Sequence, residues 1–212
     1  MAKVKKKRSS RGAGRGVSHS IARLTQTALL MALIVLAVCI PLKILAVEFT
    51  VAIIPVAVGA FLLGPSGGAF LGLFYGLCSF AQCFGLFMPS TFGATLLAVS
   101  PWLTAVMCIL PRLITGWLAG WVSRALRGRS RTVAAGLTCL TTAVGNTVLF
   151  TSAVLLLFGK TEYIASMRDG RSLLAFVAFF VGINGLVEAV VAVVVGTAII
   201  ASLSELLHHR AY

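Results

Sequence analysis

The chain of 212 residues is 59% hydrophobic and 11% charged, with a mean hydropathy of +1.02. An average soluble domain is about 45–50% apolar and about 25% charged, so the polar residues needed to cover a globule of this size are missing. A soluble enzyme, a disordered chain and a collagen-like fibre are excluded, and the net charge of +13 has to be located before it is taken as a nucleic-acid signal.

Residues 1–20 carry Lys3, Lys5, Lys6, Lys7, Arg8, Arg11 and Arg15 among Ser and Gly, without an acid. Such a stretch cannot bury a core and is expected to be disordered. It is long for the charged region of a signal peptide, and no convincing cleavage site follows, so a retained cytoplasmic tail is expected. Six apolar runs follow, at about Ile21–Ile40, Phe49–Leu63, Gly67–Phe87, Pro101–Leu126, Val133–Phe158 and Leu173–Leu207. They are too long and continuous for the alternating strands of a lipid-facing barrel. A helix needs about 20 residues to cross the hydrocarbon core. The second run is short for that and contains Pro55, so a kinked helix sheltered by its neighbours is expected. Gly64-Pro65-Ser66-Gly67 reads as the turn into the third run. The uncharged 84–100 loop, rich in Phe, Pro, Thr and Gly, is expected to pack as a lid.

Six spans put both termini on one side. That side holds +12 and the opposite side +1, while Arg112 and Glu188 cancel inside the spans. Lys/Arg excess marks the cytoplasmic face, so the +13 is a topology signal with attraction to anionic lipid, and no nucleic-acid partner is expected. The expected architecture is an all-α membrane protein: a six-transmembrane-helix bundle over 21–207, with both termini cytoplasmic, a disordered basic tail over 1–20 and a short tail over 208–212.

Catalysis finds no footing. His19, His208 and His209 lie in or beside the tails, and Glu188 is the single acid deep within a span. General acid–base pairs, metal–carboxylate sites and Ser–His relays need more. Gly159-Lys160-Thr161 resembles the end of a P-loop, but Val154 stands where its first glycine belongs. Cys39, Cys78, Cys83, Cys108 and Cys139 show no metal-ligand spacing and read as small core residues. No catalytic residue, metal or cofactor is expected.

Gly64, Gly68, Gly72 and Gly76 recur every fourth residue and form a smooth helical ridge; Gly116 and Gly120 repeat the pattern. Packing within the bundle is the favoured reading. Ala28 and Ala32 make a weaker small-residue pair in the first helix. At about 1.5 Å per residue, Arg112, Asn146 and Asn184 all lie roughly 16–18 Å from the outer ends of their helices. Glu188 and Phe180 share a face with Asn184. Buried polar groups must be satisfied, so these residues are expected to face one another. Either Arg112 and Glu188 form a structural ion pair braced by the asparagines, or the cluster holds a polar or anionic ligand.

With these pieces in order, the chain resembles the substrate-binding S component of energy-coupling factor (ECF) vitamin transporters over about residues 22–207. The resemblance rests on Ala28-Leu29-Leu30-Met31-Ala32, on Ile54-Pro55, and on the 63–72 stretch Leu-Gly-Pro-Ser-Gly-Gly-Ala-Phe-Leu-Gly. Pro111-Arg112 with Gly116 and Gly120 fits the fourth helix, and Asn184 with Glu188 the sixth. It implies a multi-pass protein of the bacterial cytoplasmic membrane that binds a vitamin on the outer side. It further implies a transmembrane T component and two cytoplasmic ATPase subunits as partners, with Ala28 and Ala32 on the docking face. The pattern is closest to the broad subgroup that includes pantothenate and cobalamin carriers, and a midplane arginine suits the pantothenate carboxylate. Arg112, Asn146, Asn184 and Glu188 are then expected at the pocket floor, with Trp102, Phe180 and Tyr163 nearer its mouth. The alternative is a membrane scaffold or assembly protein with no transported ligand.

Overall fold

The computed structural model describes residues 10–40, 42–44, 47–49, 51–87, 90–168 and 173–209, with side chains described for 20–40, 51–87, 90–166 and 185–203. The chain runs α1 (Ser10–Cys39), β1 (Leu42–Ile44), β2 (Val47–Phe49), α2 (Ile53–Cys83), α3 (Thr91–Val99), α4 (Pro101–Ala125), α5 (Arg131–Phe158), α6 (Glu162–Arg168) and α7 (Leu173–His209). Among the described residues, five helices hold a stretch long and apolar enough to cross a membrane: Ser20–Cys39, Ile53–Cys83, Pro101–Ala125, Arg131–Phe158 and Gly185–Leu203. The last three expected runs match α4, α5 and α7 closely. The first does not stop where its apolar residues begin. Helix α1 continues upstream of Ser20 to Ser10, because extending a formed helix costs little compared with nucleating one. Residues 1–9 of the expected tail lie outside the described residues.

The second and third runs merge into α2, which carries one non-helical residue, Gly64, at φ 78° and ψ −164°. This backbone region is essentially reserved for glycine. Pro65 follows, where a helix start tolerates its missing N–H. A side-chain carbon built on Gly68 would come within 2.9 Å of Ala60 Cβ. Residues eight apart on a straight helix lie about 12 Å from each other. The 53–63 and 65–83 arms therefore fold back on one another at Gly64, where the sequence placed a turn. The first arm is short, as expected, and its neighbours enclose it: residues 52–60 are all buried.

Between α1 and α2 the expected outer loop contains an antiparallel ribbon, with Lys43 opposite Glu48 and Ile44 opposite Val47. The fold is helical, as expected, and this loop adds two three-residue strands, rich in residues that favour extended backbone. The 84–100 loop contains α3. Ser90 Oγ caps it by accepting from Gly93 N at 3.2 Å, and Leu96 is fully buried. Pro101 opens α4 directly afterwards. Phe92 of α3 meets Tyr163 of α6 at 6.1 Å between ring centres, and Ile164 is fully buried beside them in one cluster with Leu96, Met107, Val154 and Phe158.

The central contact joins the 65–83 arm to α4, and there the glycine ridges meet face to face. A side-chain carbon on Gly68 would collide with the Gly116 carbonyl, one on Gly116 with the Gly68 carbonyl, and one on Gly72 with the Arg112 carbonyl. On Gly120 it would stand 2.5 Å from Pro65 Cα, and on Gly76 2.7 Å from Ile109 Cα. The favoured reading of these glycines, close packing within the bundle, is what the chain uses. Intrahelical bonds satisfy several buried hydroxyls, as in Thr138 Oγ1 to Ala134 O (2.7 Å) and Thr142 Oγ1 to Thr138 O (2.6 Å).

Candidate functional site

The backbone contact between Gly72 and Arg112 fixes the depth of the site. Arg112 is 8% exposed, and its guanidinium carbon lies 4.9 Å from the ring centres of both Tyr75 and Phe150. The two aromatic faces stabilise the cation where water is scarce. Nη1 donates to the Cys108 carbonyl one turn back at 2.8 Å, which pins the side chain along its own helix. Nε is buried without a hydrogen-bond partner.

Helices α5 and α7 bring the other polar groups to this level. Gly145 packs against Thr115, the residue three beyond Arg112. Gly196 lies against Cys139, and Gly136 faces Thr197. This antiparallel register, carried two turns along, sets Glu188 opposite Asn146. Asn146 Oδ1, Thr115 Oγ1 and Glu188 Oε1 are all buried without partners. Glu188 lies within electrostatic reach of Arg112. Yet neither Arg112 Nε nor Glu188 Oε1 is taken up in a bond between them. Both readings left open by the sequence keep a part here: Arg112 and Glu188 interact electrostatically, and each holds a buried atom without a partner. Unpartnered buried polar groups of opposite character around an aromatic-walled cation form a set that a zwitterionic or anionic, hydroxyl-bearing molecule can satisfy.

The remaining expected site residues divide. Tyr163 stands on α6, half-buried against Phe92, and packs on the same cluster as Phe150. Trp102 is 85% exposed at the first turn of α4 and is not brought to the site. Depth alone had selected it, and depth says nothing about which face of a helix turns inward. Phe180 and Asn184 lie on α7, and their side chains lie outside the described residues. Ala28 and Ala32 are exposed on α1, away from the buried Leu30, Ile34 and Val38 that pack on the first arm of α2.

Tyr75 and Phe150 were not singled out from the sequence, although signals for both exist. Phe150 follows Asn146 by one turn and shares its face. Tyr75 sits between Gly72 and Gly76 and falls opposite Arg112 once the two glycine ridges are paired. The cysteines also hold a surprise: Cys83 and Cys108, both buried, place their Sγ atoms 3.8 Å apart as free thiols.

Comparison with known proteins adds two findings. The family model described as "ECF transporter, substrate-specific component" matches residues 22–200. A relative from Lactococcus lactis subsp. cremoris (strain MG1363), the pantothenic acid transporter PanT, is 31% identical over 159 residues, covering 72% of this chain and 76% of the relative.

Proposed function

The chain belongs to the substrate-specific components of ECF transporters, and from that premise we propose that it captures pantothenate in the Arg112 cluster. It is a vitamin-specific binding subunit and a multi-pass protein of the bacterial cytoplasmic membrane. The scaffold alternative is thereby set aside.

The observation that carries the pantothenate reading is the unpartnered Nε of the Arg112 guanidinium, which is held between Tyr75 and Phe150, together with unpartnered acceptors on Asn146 and Glu188. Pantothenate offers a carboxylate at one end, an amide in the middle, and two hydroxyls beside a branched apolar carbon at the other. The carboxylate meets Arg112, as a charge-assisted bond favours. The hydroxyls donate to Glu188 and Asn146, and the aromatic walls take the apolar part. Asn184 and Phe180, both on α7, belong to the same proposed site, and Tyr163 with Phe92 closes the outer side. The name of the Lactococcus relative supports this choice of vitamin.

The wider reading follows the family. Counting the two arms of α2 separately gives six spans over 21–207, with both termini cytoplasmic and a basic tail upstream, as the charge asymmetry supports. The protein is not an enzyme. It delivers its vitamin through a transmembrane T component and two cytoplasmic ATPase subunits, and the exposed Ala28–Ala32 face of α1 docks on the T component. The decisive test is pantothenate binding by calorimetry in detergent. Arg112→Ala is expected to weaken it by roughly 30-fold or more, the scale of a lost charged hydrogen bond at about 2 kcal/mol or above. Unchanged affinity refutes the site.

A further inference from the structure

A cavity lies at the opposite end of α4 from α3. It has a volume of about 310 Å³ and is lined by Phe61, Ser123, Arg127, Arg129, Arg131 and Ala134 among others. Gly128, at φ 116°, turns the chain between α4 and α5, and Arg129 N closes the turn on Leu126 O at 3.0 Å. Ser123 Oγ donates to the Phe61 carbonyl at 3.2 Å and ties the wall to the first arm of α2. Three arginines thus converge on one concavity, and the linking segment 126–131 contains no acid.

The helix that starts here makes the charge harder to explain as topology alone. The N-terminus of α5 carries partial positive charge and unpaired N–H groups. A capping hydroxyl or an acid in the first turn ordinarily offsets both. Here Ser130 makes no side-chain cap, the first turn holds no acid, and Arg131 occupies its first position. Topology asks only for cations on this side of the membrane. It does not ask that they surround a cavity at an uncapped helix start. An anion in the cavity would satisfy the guanidinium groups and the helix terminus together.

The depth of the cavity selects the anion. Trp117 and Trp121 are 45% and 47% exposed and pack edge to face at 6.2 Å between ring centres. Arg124 lies 5.6 Å above Trp121. Exposed tryptophans mark the membrane–water interface, and the cavity begins about one turn beyond them. We propose that this cavity binds the phosphate of an anionic phospholipid headgroup from the cytoplasmic leaflet. The lipid braces the α4–α5 turn against α2, at the end of the bundle remote from the vitamin.

The test is native mass spectrometry of the purified full-length protein with phosphatidylglycerol, phosphatidylcholine or inorganic phosphate. One phosphatidylglycerol is expected to stay bound in preference to phosphatidylcholine, and millimolar inorganic phosphate is expected not to displace it. At about 1 kcal/mol per basic residue near a membrane surface, R127Q/R129Q/R131Q should weaken retention roughly 100-fold. K5Q/K6Q/K7Q removes the same charge from the tail and should leave retention nearly unchanged. Equal loss in both triple variants, or undiminished retention in the loop variant, overturns the site. Displacement by inorganic phosphate overturns the lipid in favour of a free phosphate. If the loop triple does not fold, R127Q, R129Q and R131Q singly are each expected to weaken retention about fivefold; three unaffected single variants overturn the proposal equally well.

Discussion

The backbone contact between α2 and α4 makes opposite predictions for two glycines in the same bundle. Replacing Gly by Ala inside a helix ordinarily gains about 0.5–1 kcal/mol. At Gly145 the new carbon would meet Thr115 Cγ2 at 3.5 Å, an ordinary contact, so Gly145→Ala should be neutral or stabilising by that amount. At Gly72 the new carbon would run into the Arg112 carbonyl oxygen and lie 2.9 Å from its carbon and 3.2 Å from Leu113 Cα. Those atoms are backbone and cannot rotate away. The helices must part by roughly 1 Å, at an overpacking cost of about 1–3 kcal/mol or more, which exceeds the helix gain. Gly72→Ala should therefore lose about 1–3 kcal/mol. It should also weaken pantothenate binding, because the atoms it displaces carry Arg112. The assay is unfolding of both variants in one detergent, followed by calorimetry with pantothenate. If Gly72→Ala is no less stable than Gly145→Ala, α2 and α4 are not in backbone contact, and the placement of Arg112 loses its basis.

Gly64→Ala tests a different cost. Nothing lies within 4 Å of the added carbon, but φ of 78° with ψ of −164° should cost about 1–3 kcal/mol, read by the same unfolding assay; an unchanged midpoint would refute the sharp turn. Replacing Ala28 and Ala32 together by Phe should abolish vitamin uptake into cells while leaving pantothenate binding in detergent intact. Loss of both would signal misfolding, and loss of neither would remove that face from docking. Copper–phenanthroline with oxygen should join Cys83 to Cys108 in preference to any other pair, because their sulfurs are 3.8 Å apart. Peptide mapping after proteolysis reads the link, and a different dominant pair would refute the contact.

The spans were legible because their signal is local. Runs of apolar residues ending at Pro, Gly or charge fix α4, α5 and α7 to within a few residues. The Gly64 turn was legible for the same reason: Gly-Pro is a backbone signal that needs no tertiary partner. The polar midplane could be read in part, since depth follows from counting along each helix. What counting does not supply is rotation about the helix axis. Trp102 and Arg112 were chosen by the same arithmetic, yet one is 85% exposed and the other 8%. The aromatic walls on Tyr75 and Phe150 depend on the register between helices, and only the paired glycine ridges carry that register. The ribbon at 42–49 was missed because strands of three residues leave almost no periodicity to detect.

The unpartnered Nε of Arg112 is compatible with the way its charge is stabilised. A lone guanidinium in a bundle is costly, and pairing it with Glu188 would lower that cost at once. Such a pair would also occupy the donor that a carboxylate ligand requires, and breaking it on binding would cancel much of the gain. Tyr75 and Phe150 offer a different solution. Ring faces 4.9 Å away stabilise the cation through their π electrons, by about 2 kcal/mol or more each when desolvated. They leave the in-plane Nε–H without a partner, the kind of donor that the proposed carboxylate ligand requires. On the proposed reading, Glu188 near by reduces the net charge without occupying Nε. It also disfavours an anion that lacks hydroxyl or amide groups, because such a ligand would meet the carboxylate with nothing to donate. The same arrangement that keeps Arg112 buried therefore discriminates among carboxylates: a simple fatty acid anion should bind far more weakly than a hydroxyl-bearing one of the same charge, and comparable affinities would show that Glu188 does not face the ligand.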